Sequence, residues 1–195
     1  MLSLLKRPSK SKLYLKMPLF HNRQKEKTPA ARLYDAVMAR ARSAIFHTAF
    51  AVPDTIDGRF DLLTMHAYLV MEALKDREPP GKDLATDLAS LIFAGFEEAL
   101  RELGVTDFGV PKRMRSFGDA FYGRLEAYSA ANSQGMVAEV LLRNVFRGEP
   151  ARRLEAAALA HYVEAVRLRL RASSDALLEG RADFGPLPEK SEPSE

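Results

Sequence analysis

Val52-Pro53-Asp54-Thr55-Ile56-Asp57-Gly58-Arg59-Phe60-Asp61 runs directly into Leu62-Leu63-Thr64-Met65-His66-Ala67-Tyr68-Leu69-Val70-Met71, a stretch without a formal charge. A polar corner thus feeds a buried element. Pro53 disfavours helix at Val52, Asp54 or Asp57 can cap orphan amides, and carboxylates are stabilised at the positive end of the helix that follows. The pattern predicts a helix from Asp57 or Gly58 to about Lys75. Its uncharged part is too short to cross a bilayer and is better explained by burial among other helices. Two readings of the corner compete: Asp54, Asp57 and Asp61 cap and solvate a helix start while Arg59 pairs with one of them, or the corner is a rigid docking surface. A metal is disfavoured as a third reading, because the run lacks the regular oxygen-ligand spacing and terminal glutamate of a calcium loop.

Helical periodicity continues on both sides. Thr28-Pro29 opens a first helix with Leu33, Val37, Ala41 and Ala44 on one stripe, ending before Pro53. After the loop-forming composition around Pro79-Pro80-Gly81, a third helix runs from Asp83 through Leu84, Leu88, Leu91 and Ala99 to Gly104. Pro111 opens a fourth, striped by Met114, Phe117, Phe121, Leu125 and Tyr128, in which Gly118 and Gly123 point to a close helix approach. A fifth, shorter helix from Val137 ends at Gly148, and Pro150 opens the last, with Leu159, Val163, Val166 and Leu170 inward. No segment alternates with period two. The expectation is an all-α fold, a single compact domain of about six helices over residues 28–180, with a basic flexible arm at 1–27 and a disordered tail at 181–195.

Charge is unevenly spread. The chain carries a net +3, but residues 1–27 hold eight cations against Glu26, which leaves −4 on the rest. A basic arm suits an anionic membrane surface or RNA, whereas an acidic body argues against a broad nucleic-acid face. Met17 offers an alternative start, so function should not rest on the first sixteen residues. The absence of cysteine removes thiol catalysis, disulfides and thiolate metal sites.

Neither a nucleophile elbow, a phosphate-binding loop nor a histidine pair at metal-ligand spacing occurs. No cofactor or metal is expected. His66 reads as a satisfied core histidine, and the aromatic stripe of the fourth helix as core before cofactor pocket. The arginines of the last helix fit a salt-bridged surface or a groove for acidic ligands. Lys112, Arg113 and Arg115 are less easily placed, because cations in the first turn oppose the helix dipole. Either an acidic neighbour within the fold or an anionic partner should want them.

Three segments, the Val52–Asp61 corner, Gly104 to Lys112-Arg113, and Ala120-Phe121-Tyr122-Gly123-Arg124, resemble in order and spacing the ubiquinol-cytochrome c chaperone family. The similarity spans about residues 31–175. It implies a non-enzymatic assembly factor that binds newly made cytochrome b and aids maturation of the cytochrome bc1 complex. It also implies a second small assembly factor and the ribosome tunnel exit as partners, but no DNA. The place of action would be the cytoplasmic face of a bacterial inner membrane, or the mitochondrial matrix and inner membrane, with the basic arm on the membrane surface. Asp54, Asp57, Arg59 and Asp61 are then expected to form one docking corner, and Lys112, Arg113, Tyr122 and Arg124 a second contact region. A helical RNA- or ribosome-binding module is the alternative, and an enzyme using the Asp54–Asp61 corner would require two carboxylates converging on a pocket.

Overall fold

The computed structural model describes residues 27–75, 77 and 79–187, so the expected arm up to residue 26 lies outside them. Eight α-helices and one 3-10 turn are formed among the described residues, without a strand: α1 (Pro29–Ala41), α2 (Ile45–Thr48), α3 (Ile56–Lys75), α4 (Pro80–Glu102), α5 (Val110–Ala130), α6 (Gln134–Asn144), the turn Pro150–Arg152, α7 (Arg153–Ala172) and α8 (Ser174–Leu178). The all-α expectation holds. No described helix is long and apolar enough to cross a membrane.

The uncharged run makes α3 the hub. Leu62, Met65, His66, Leu69, Val70 and Leu74 on it are all but inaccessible, and α1, α4, α5, α7 and α8 pack around it. A helix buried on every side needs no amphipathic pattern, and the composition of 62–71 has none. Local signals place the other helix starts. Thr28 Oγ1 accepts from Ala31 N at 3.2 Å ahead of Pro29, and Ser133 Oγ accepts from Met136 N at 3.3 Å.

Four expectations change. The first helix does not continue to Pro53: it stops at Ala41, and a short turn of helix follows. Phe46 is off the Leu33-Val37-Ala41 stripe, yet it is fully buried, 5.1 Å from the His66 ring and 5.2 Å from Tyr162. Reaching that position requires the chain to bend. α4 begins at Pro80 rather than Asp83, with the proline in the first turn, where a missing N–H is harmless. The stretch after Gly180, expected to fray, is held as far as Gly185: Phe184 is buried with its ring edge-on to His66 at 5.5 Å, and the Arg40 guanidinium lies 5.5 Å from it. Residues 188–195 lie outside the described ones.

The fourth change concerns the glycines of α5. Gly118 meets Phe93 at ordinary contact distance, 3.5 Å from where a Cβ would be, but a Cβ on Gly123 would meet nothing within 4 Å. No close approach is made at Gly123. Gly123→Ala is therefore expected to raise stability by about 1 kcal/mol through helix propensity alone, measured as a higher denaturant midpoint. A loss would mean that the neighbouring helices move onto this position.

Candidate functional site

The corner is built by backbone contact. A Cβ on Gly58 would sit 2.0 Å from the carbonyl oxygen of Pro53, so only glycine allows the first turn of α3 to fold back on the preceding strand of chain. The cap is Thr55, whose Oγ1 accepts from Gly58 N at 3.1 Å. Asp54 and Asp57, the expected caps, are left for other work. Asp54 accepts from Arg59 Nε at 2.7 Å and lies 3.7 Å from His47 Nε2. The Arg59 hydrogen bond holds the Asp54 carboxyl below its ordinary pKa. Both side chains are exposed, and the pair contributes little to stability.

Asp61 differs from its neighbours. It is fully buried, and Arg124 Nε donates to it at 2.5 Å, while Arg147 Nη2 lies 3.0 Å from its second oxygen and 3.6 Å from Asp57. Arg124 also donates to the Ala120 carbonyl at 3.1 Å and lies 4.6 Å from the centre of the Phe60 ring. Burial raises the Asp61 carboxyl above its ordinary pKa, against the pull of Arg124 and then Arg147. Arg147 itself has φ 55°, in the left-handed region that side chains avoid, directly before Gly148 at φ 76°. Its ion pairs give that conformation a counterweight. Nothing in the local sequence marked Arg147 as a partner of the corner.

This clamp forms one wall of an open groove of about 650 Å³ between α3, α4 and α5. Its floor is aromatic: Phe96 stacks on Phe117 at 3.8 Å, and Phe60 lies 5.3 Å from Phe117. Ile56, 82% exposed, stands on the margin. The structure therefore joins Asp57, Lys112, Arg113 and Arg124, drawn from both expected contact regions, in a single groove. It does not bring in Asp54 and Arg59, which pair with each other, or Tyr122, which stacks on Phe93 at 5.8 Å and opens on a separate cleft beside Tyr68, Glu72 and Arg171. Asp61 supports the groove from behind Arg124.

Within the groove the cations fall into two groups. Arg124 and Arg147 are engaged by Asp61. Lys112 and Arg113, by contrast, have no carboxylate within ion-pair distance among the described residues, nor has Arg115. The internal explanation for these charges thus fails within that part of the chain. The arginines of α7 behave oppositely: Arg153 reaches Glu139 at 2.6 Å, Arg167 reaches Glu72 at 2.8 Å and Arg171 reaches Glu72 at 3.2 Å. They form a salt-bridged network, in which Arg167 is buried and Arg153 and Arg171 are exposed. Of the corner's three aspartates, Asp57 is the one that lines the groove, so the convergence of two of them needed for acid–base chemistry is not formed there.

These features define a helical scaffold with an apolar, cation-rimmed groove. The family model described as ubiquinol-cytochrome C chaperone matches residues 48–184, and the chain belongs to that family. It is 25% identical over 182 residues to the ubiquinol-cytochrome-c reductase complex assembly factor 1 of Xenopus laevis, covering 89% of this chain and 88% of the relative. With the human protein of that name the identity is 25% over 183 residues, and the chain spans 59% of the relative's length. Among solved structures, the crystal structure of the Cbp3 homolog from Brucella abortus is similar with a TM-score of 0.72 and 36% identity, over 81% of this chain and 89% of that one.

Proposed function

We propose that this chain supports assembly of the ubiquinol-cytochrome c reductase complex by binding newly made cytochrome b, without chemical conversion, in the groove between α3, α4 and α5. The observation that carries the reading is an aromatic floor left open to the surface beside Lys112 and Arg113, which lack internal partners among the described residues. An apolar membrane subunit exposes apolar side chains until its neighbours arrive. A groove of this kind covers a few of them, and its free cations select a segment flanked by acidic groups. Family membership supports the same role, since the relatives are named as assembly factors of that complex. The place of action is the inner membrane surface, on the cytoplasmic side in a bacterium or the matrix side in a mitochondrion. A second small assembly factor and the ribosome tunnel exit remain proposals on the family resemblance.

Ile56 and Arg113 are exposed, so Ile56→Asp combined with Arg113→Glu should leave the helical circular dichroism unchanged. Capture of cytochrome b from detergent-solubilised membranes of respiring cells is expected to fall about tenfold, the equivalent of about 1.4 kcal/mol, and the b-type haem absorbance of the bc1 complex to fall with it. Arg59→Glu, outside the groove, is the comparison and should capture normally. Undiminished capture by the double variant would refute the groove as the binding site.

A further inference from the structure

Phe108 is 98% exposed at the tip of the loop between α4 and α5, and Leu103, at the other end of that loop, is 77% exposed. Neither lines the groove. Lys112, Arg113 and Arg115 follow Phe108 in the first turns of α5, all exposed and without an ion-pair partner among the described residues. The loop's own carboxylate is already engaged, because Arg101 holds Asp107 at 2.9 Å and Glu97 at 2.8 Å. On the α4 side Glu102, beside Leu103, is exposed and also without an ion-pair partner among the described residues, so the positive excess lies on the α5 side, next to Phe108.

We propose that the α4–α5 loop is the contact of this protein with an anionic phospholipid bilayer. Phe108 enters the interfacial layer, and the cations that follow it at the start of α5 meet the lipid phosphates. Shape and charge select this occupant. A protruding ring needs a matching cavity in a protein partner, whereas the headgroup region of a bilayer accepts it without one, and a negative lipid surface complements the cations behind it. Such contact sets the neighbouring groove at the membrane surface. It shares Lys112 and Arg113 with the proposed cytochrome b site, so Phe108, which that groove does not use, carries the test.

The chain contains no tryptophan, which makes Phe108→Trp a single indole reporter. With full-length protein and vesicles of phosphatidylglycerol and phosphatidylcholine, its emission should move to shorter wavelength, while Leu168→Trp, on α7, should not shift. Phe108→Asp should reduce vesicle co-sedimentation yet capture cytochrome b in detergent as the parent protein does. Lys112→Gln with Arg113→Gln should weaken vesicle binding about 30-fold, from about fivefold per basic residue at an anionic surface. An unshifted Phe108→Trp in protein that still sediments with vesicles would overturn the proposal and leave lipid contact to another segment such as the basic arm. Loss of cytochrome b capture by Phe108→Asp with vesicle binding intact would also overturn it, assigning the loop to the protein partner.

Discussion

Replacing Arg124 by methionine is expected to lower the free energy of unfolding by about 3 to 5 kcal/mol at neutral pH, read as a fall in denaturant midpoint at unchanged slope. Asp61 is inaccessible to water, and Arg124 at 2.5 Å is its nearest counter-charge. Arg147, at 3.0 Å and more exposed, would remain but could not replace it. The pH dependence follows from the raised carboxyl of Asp61. A carboxyl raised by folding binds its proton more readily in the folded chain, so its contribution is fully present below the ordinary value of 3.8 and is lost as pH rises through the raised one. Without Arg124 the carboxyl rises further, and the deficit of the variant should shrink as the solution is acidified. Asp61→Asn in the same background should recover much of the loss, as a double-mutant cycle would measure. A deficit below 1 kcal/mol that ignores Asp61 would instead make Arg124 a free surface cation.

Acidification should destabilise the parent protein by about 3 kcal/mol at pH 4.5 through His66 alone, from 1.36 kcal/mol per pH unit below the ordinary histidine value. His66 is fully buried, with Nδ1 2.7 Å from the Leu62 carbonyl and Nε2 2.8 Å from the Tyr162 hydroxyl. A carbonyl can only accept, so Nδ1 carries the proton and Nε2 accepts from Tyr162. A second proton would place a charge in the core and break the Tyr162 bond. Burial accordingly lowers the His66 pKa to about 3 from 6.5. The unfolded chain takes the proton first, so this contribution is intact above 6.5 and declines as pH falls towards 3. His66→Phe should unfold with a flatter pH dependence between 6.5 and 4.5, whatever its stability at neutral pH. Equal slopes for the two proteins would refute the assignment.

The candidate site was legible in parts that did not know of each other. Helix starts and apolar stripes are local, because each needs only residues within about one turn, and the corner at Pro53 and the basic turn before α5 were visible for that reason. Even there, the choice of cap was misread: three aspartates drew attention from Thr55, and only the approach of Gly58 to the Pro53 carbonyl shows which side chain faces the helix amides. The partition of the charged residues was out of reach. Asp54, Asp57 and Asp61 look equivalent in the chain, but one is a surface ion pair, one lines a groove and one is a buried anchor.

Periodicity and turn chemistry settled the helical class, several of the helix limits and the central place of the uncharged run, and the three motif segments carried a family likeness that the comparisons uphold. Packing decided the bend that carries Phe46 beneath His66, the docking of Phe184 and the capture of Asp61 by Arg124 and Arg147. The physical reason is separation along the chain: Arg124 lies 63 residues beyond Asp61. A pair so distant meets only when whole helices have packed, so neither partner carries a local mark of the other.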